Sequence, residues 1–163
     1  MEITPATDAH VPEIVEVWEE FMDFHKDKDP RFPMKENAHL DWEKNLRGLM
    51  KSEEALVLVA VDKDRVVGYA ISLTERRYPP VFERETYGFI GSMAVQSNYR
   101  RQGTGERMLG KIYEWFESRN IDRIELTVTA KNQIGYSFWR KHGFQDYTHV
   151  LYLDKGVAKT VLP

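Results

Sequence analysis

The stretch Val95-Gln-Ser-Asn-Tyr-Arg-Arg-Gln-Gly-Thr-Gly-Glu106 decides how this chain is read. An apolar run, Tyr87–Val95, ends where it begins. An amphipathic run over Gly105–Asn120 follows, with Met108, Leu109, Ile112, Tyr113 and Phe116 on one side. The order is strand, glycine-bearing turn, helix. The first backbone N–H groups of a helix have no intrahelical partner, and the helix dipole places about half a positive charge there. Such an end suits a phosphate or a diphosphate. Gly103 and Gly105 lack a Cβ, so the backbone can approach an anion closely. Two rival phosphate motifs fail. A P-loop needs lysine and then serine or threonine after its second glycine, but Glu106 and Arg107 follow Gly105. The dinucleotide fingerprint needs a third glycine that is missing here. Taken alone, the turn is also compatible with an ordinary loop.

Upstream, Glu2–Thr4 is expected to form a short strand, with Asp8 capping a helix whose first turn holds Pro12. Ile14, Val17, Trp18, Phe21, Met22 and His25 share one face of that helix. The charged, proline-bearing segment Lys26–Pro33 ends it, and Trp42, Leu46, Leu49 and Met50 carry a second helical pattern. Ala55–Val61 is continuously apolar, as in a strand buried on both faces. Asp62–Arg65 is expected to turn into a strand over Val66–Thr74, and residues 75–85, with Pro79 and Pro80, form an exposed connection. Downstream, Arg123–Thr129 alternates as a strand. Asn132–His142 is a short helix that Gly143 can end in the left-handed conformation, and Tyr147–Asp154 is expected to be a final strand. The predicted order is β-α-α-β-β-β-α-β-α-β: a single α/β domain with a mixed, mostly antiparallel central sheet flanked by helices.

The 163 residues suit one domain, and a formal charge of −3 leaves no electrostatic footprint for nucleic acid or an anionic membrane. The chain has no cysteine, which excludes disulfides, thiolate metal sites and a cysteinyl acyl-enzyme. Met1–His10 does not follow the signal-peptide pattern, no apolar stretch has the length of a membrane span, and a cytoplasmic location is expected. No metal is expected: Asp27-x-Asp29 lacks the glycine and distal glutamate of a calcium loop.

Arg100-Arg-Gln-Gly-Thr-Gly105 resembles the Arg/Gln-x-x-Gly-x-Gly/Ala signature of the GNAT superfamily of N-acetyltransferases. Phe89-Ile-Gly-Ser-Met-Ala-Val95 is similar to that family's fourth strand. Asn132-x-x-Gly135-x-x-Phe138-Trp139-x-Lys141-x-Gly143-Phe144 resembles its second motif, Asn-x-x-Ala-x-x-Phe-Tyr-x-Lys-x-Gly-Phe. The resemblance covers almost the whole chain and implies a single acyl-CoA N-acyltransferase domain over 1–163, with acetyl-CoA as cosubstrate. It further implies that the backbone of Met93, Ala94 and Val95 receives the pantetheine arm as an added strand. Arg100, Arg101, Gln102, Gly103, Thr104, Gly105 and Glu106 would hold the diphosphate, and Asn132, Phe138 and Trp139 would line the arm's other side. β-Augmentation suits the two amides of pantetheine.

Two departures from the family pattern bear on catalysis. Trp139 replaces the tyrosine that protonates the departing thiolate, and an indole N–H is not a proton source. Tyr136, one turn earlier, is the alternative acid. Many relatives carry a carboxylate in the middle of the fourth strand, where this chain has Gly91 and Ser92; Glu83 and Glu85 are the candidate bases. The expected reaction is acetyl transfer to a primary amine by direct attack in a ternary complex. The acceptor is a small molecule or a protein amine, met by Trp18, Phe21, His25 and Tyr78, with Glu19, Glu20, Asp23, Asp27 and Asp29 attracting a cation. The two departures also motivate another reading, a non-catalytic CoA-binding sensor or regulatory module. Relatives often dimerise through their sheets, so a homodimer is possible.

Overall fold

The structure, a computed structural model, describes residues 1–155. The chain falls into two units, Met1–Asn132 and Gln133–Pro163. The first holds a five-stranded sheet in sequential order: β1 (Glu2–Pro5), β2 (Ala55–Asp62), β3 (Arg65–Arg76), β4 (Thr86–Val95) and β5 (Ile124–Leu126). The first three neighbour pairs are antiparallel, and β5 runs parallel to β4. Three helices accompany the sheet: α1 (Val11–His25), α2 (Ala38–Leu49) and α3 (Thr104–Ser118).

Local chemistry explains most of these boundaries. Lys63 and Asp64 both take positive φ (47° and 64°), the geometry of a two-residue hairpin turn whose twist suits the flanking strands. Val57, Leu58, Val59 and Ala60 are buried in succession, so β2 is covered on both faces. On one face Val11, Ile14, Val17 and Trp18 of α1 and Leu46 of α2 pack on Val57, Val59, Tyr69 and Ile71. Trp18 stacks on Trp42 (centroids 4.8 Å apart), and Trp42 meets Tyr69 edge-on at 5.6 Å. α3 buries Met108, Leu109, Ile112 and Phe116, and Gly88 lets β4 approach it. A Cβ on Gly88 would lie 2.6 Å from the Phe116 ring.

Three expectations are corrected. Asp8 does not cap α1. It belongs to a 3-10 turn, Asp8–His10, and its carboxylate takes Arg47 Nη1 at 2.7 Å. The strand expected over Arg123–Thr129 forms only at Ile124–Leu126, because β4 offers it three partners, Gly88 to Ile90. The final strand expected over Tyr147–Asp154 is not formed. Among the described residues that segment pairs with no strand, and Tyr147, Val150, Leu151, Tyr152 and Leu153 are exposed. Residues 156–163 of the expected single domain lie outside the described residues.

The second unit contains α4 (Gln133–Lys141), ended by Gly143 at φ +88° as its glycine suggested. Trp139 packs edge-on against Phe138 (5.0 Å) and Phe144 (5.3 Å).

Candidate active site

The site is built on a change of phase in β4. Ser72 stands opposite Ile90 and Ile71 opposite Ser92, so Gly91 is an extra residue, a β-bulge. In an antiparallel ladder alternate residues turn their N–H and C=O toward the partner strand. Gln96 N–H donates to Val67 O of β3 at 2.9 Å, so Ala94 also faces β3, and Met93 and Val95 face the opposite edge. Before the bulge, Gly88 faces that same edge, where its N–H donates to Arg123 O at 2.8 Å. Pairing with β5 stops at Ile90. Among the described residues no further strand pairs with β4, so the amides of Met93 and Val95 project from an open strand edge.

The glycine loop lies at the end of that edge. A 3-10 turn, Ser97–Tyr99, leads into Arg101 at φ 59° and Gly103 at φ +80°. Gly103 is the N-cap of α3 and has no side chain to offer the N–H of Gly105, the second residue of the helix. The first helical bond there is Arg107 N–H to Gly103 O, at 3.0 Å. A Cβ on Gly103 would meet nothing within 4 Å, so the space before the helix end is open. Thr104 is buried, and its hydroxyl donates to Tyr99 O, fixing the loop from beneath. An uncapped helix start beside an outward-facing strand edge fits a ligand with a diphosphate and an amide-bearing arm.

Helix α1 ties down both sides of this arrangement. Glu20 Oε1 accepts the Ser97 N–H at 2.8 Å and lies 3.4 Å from Arg100 Nη2. Arg100 Nε donates to Val95 O at 2.8 Å, and its guanidinium stands 5.6 Å from the centre of the Phe24 ring. The side chain of Arg100 is therefore turned inward, joining α1 to β4, and does not project toward an anion. Val95 O, expected to meet the arm, takes this bond from Arg100. Gln102 Nε2 donates to Asn98 O at 2.8 Å, within the loop.

Beneath the bulge, the hydroxyls of Tyr69 and Ser92 lie 2.8 Å apart. Tyr69 is fully buried, and desolvation pushes its phenol well above the usual range, so it stays protonated. At the end of α1, His25 Nδ1 lies 2.8 Å from Phe21 O and Nε2 lies 3.2 Å from Asn132 Nδ2. The four expected acceptor residues separate accordingly. Trp18 is a core residue stacked on Trp42, His25 is 6% exposed and bound to Asn132, and Phe21 packs on His25 at 4.2 Å. Tyr78 is 93% exposed.

The catalytic candidates fare differently from one another. Glu83 is exposed in the connection entering β4 at Thr86, the end opposite the glycine loop. In the second unit, the Tyr136 hydroxyl donates to Asp146 Oδ2 at 3.0 Å, and that bond holds its phenol above the ordinary value. Among the expected acidic attractors, Glu20 holds the loop, Asp23 takes Lys26 at 2.7 Å and Asp29 takes Arg31 Nε at 2.9 Å. Among the described residues no group of three or more His, Asp or Glu side chains is placed to hold a metal ion, and no helix is long and apolar enough to cross a membrane.

Sequence reasoning missed three links: Glu20 to Ser97, His25 to Asn132, and Tyr69 to Ser92. Only the last left a signal. A tyrosine in the middle of the apolar strand Val66-Val-Gly-Tyr-Ala-Ile-Ser72 must find a partner for its hydroxyl.

The acetyltransferase (GNAT) family matches residues 14–144. The chain belongs to that family and is an acyl-CoA-dependent N-acetyltransferase. Its members use acetyl-CoA. No curated protein matches the sequence. Among solved structures, a tetramutant of the BH1408 protein from Bacillus halodurans superposes with a TM-score of 0.83 at 20% identity, over 94% of this chain and 99% of that one. The aminoglycoside 6'-N-acetyltransferase AAC(6')-Ig from Acinetobacter haemolyticus gives 0.76 at 19% identity, covering 95% and 98%. The aminoglycoside N-acetyltransferase AAC(6')-Iy in complex with CoA gives 0.71 at 12% identity, covering 94% and 98%. At these identities the likeness establishes the fold.

Proposed function

We propose that this enzyme acetylates a primary amine on a small polycationic acceptor, by direct attack within a ternary complex, in a cytoplasmic setting. The observation that carries the reading is the pair of outward amides at Met93 and Val95 beside the uncapped start of α3. The Met93 backbone and the Val95 N–H hold the pantetheine arm, and N–H groups from Arg101 to Glu106 hold the diphosphate. One domain spans the chain in this reading, supported by a family match over residues 14–144 that reaches from the first unit into the second.

Acetyl-CoA supplies an activated acyl group. The residues of this chain align it and let the two protons of the amine leave. An alkyl amine, with a pKa of about 10.4, must lose a proton before its lone pair attacks the carbonyl carbon. That proton leaves to water at the bulge, where Gly91 is exposed. The new C–N bond forms as the C–S bond breaks; the nitrogen gives a second proton to the same water, and the sulfur departs as a thiolate. The Met93 N–H faces the thioester oxygen and stabilises its developing charge, a contact worth ~3 kcal/mol. Exposed Glu19 and Asp27 favour a cationic acceptor, and the aminoglycoside acetyltransferases among the structural neighbours favour a small polyamine.

Mixing protein and acetyl-CoA with a polyamine, an aminoglycoside, a free amino acid or a peptide amino terminus, and following free thiol, tests this. Amine-dependent thiol release is expected, fastest with the small polycations. Binding of CoA without such release under any acceptor would favour the sensor reading instead.

A further inference from the structure

We propose that His25 is a positioning residue for the acyl-CoA arm, acting through Asn132; this rests on the acyl-CoA reading above. His25 closes α1, and its ring is buried between Phe21 (centroids 4.2 Å apart) and Phe24 (5.1 Å). Both ring nitrogens are engaged. A backbone carbonyl can only accept, so Nδ1 carries the proton and donates to Phe21 O at 2.8 Å. In the neutral ring this leaves Nε2 as an acceptor, and Asn132 Nδ2 donates to it at 3.2 Å. The tautomer is thus set by the helix, and it determines which end of the Asn132 amide turns toward α1.

Asn132 follows β5, 107 residues from His25 in the chain, at the start of the segment expected to flank the arm. Its own N–H donates to Thr129 O at 2.7 Å, which fixes the main chain beneath it. An asparagine amide is useful to a ligand carrying one amide donor and one amide acceptor only when its plane and its two ends are held. His25 holds them. The buried histidine on an apolar helix face is thereby given a task in cofactor affinity, distinct from contact with the acceptor amine. Glu20, on the same helix, performs the matching task on the loop by holding Ser97.

The test measures CoA affinity by calorimetry and steady-state constants for the unmodified enzyme, His25→Phe, His25→Gln, Asn132→Ala and the double variant His25→Phe/Asn132→Ala. His25→Phe preserves an aromatic ring and removes both bonds. It should weaken CoA binding and raise the KM for acetyl-CoA by about 3- to 10-fold, with kcat unchanged at saturation. The double variant should bind no worse than Asn132→Ala alone, since both changes break one link. His25→Gln, which keeps an acceptor, should restore most of the loss. Additive losses, or a lowered Tm with CoA affinity untouched, would overturn the proposal and leave His25 as packing. Nitrogen-15 NMR of the unmodified protein decides the matter even where a variant fails to fold. The Nδ1–H tautomer is expected, with an Nε2 resonance that moves as CoA is added. An Nε2–H tautomer, or a resonance indifferent to CoA, overturns it. If the unmodified enzyme binds no CoA, the acyl-CoA reading itself falls and this inference with it. If it binds and His25→Phe binds equally well, only this inference falls.

Discussion

Asp29 is a buried carboxylate held by an exposed arginine. Its Oδ1 accepts the Arg31 N–H and Nε–H, both at 2.9 Å, and the Arg31 guanidinium depresses its pKa despite the opposing effect of burial. A carboxylate whose folded-state pKa lies below its unfolded value stabilises the fold above the unfolded pKa, and that contribution is lost as pH falls through the folded one. Stability measured by denaturant titration should therefore decline below about pH 4. Asp29→Asn should flatten this acid limb while lowering stability at neutral pH. Tyr136 raises a different question. Its bond to Asp146 makes it a weaker acid, and in the proposed reaction the thiolate leaves without prior protonation. Tyr136→Phe should accordingly change kcat by less than about threefold, where a true proton donor would give 100-fold or more. Stopped-flow or steady-state thiol release separates the two outcomes.

At the level of elements, the glycine loop makes its own demand. Gly103 is left-handed in open space, so an added methyl meets no neighbour and the cost of Gly103→Ala is conformational, about 1 kcal/mol. The variant should fold, with Tm lowered by a few degrees and CoA affinity reduced more than stability, because the methyl occupies the approach to the N–H groups; calorimetry with CoA checks this. This loop was legible from its letters: two glycines after an apolar strand and before an amphipathic helix define it. The inward turn of Arg100 was not legible, since nothing in a six-residue pattern says that Glu20, eighty positions earlier, waits for it. β5 and the segment Tyr147–Asp154 show the complementary limit. Both carry strand-like residues, but length and pairing depend on what the neighbouring strand leaves available.

At the scale of the molecule, the α/β class and the order of elements through α4 follow from periodicity: alternation or continuous apolar runs for the sheet, spacing of three and four for the helices. The three links from α1 and β3 to the site join residues 23 to 107 positions apart, and no local pattern encodes them. The two that start from α1 make that helix a brace for the glycine loop and for Asn132 as much as a cover for the sheet. The bulge at Gly91 has an arithmetic of its own. With that single extra residue, one strand meets β5 through its even-numbered positions and presents its odd-numbered ones, Met93 and Val95, at the open edge. Were the ladder regular through Gly91 with every residue kept, Ser92 and Ala94 would present their amides outward, while Met93 and Val95 would be turned to β3. A single step of register here decides which amides the open edge presents.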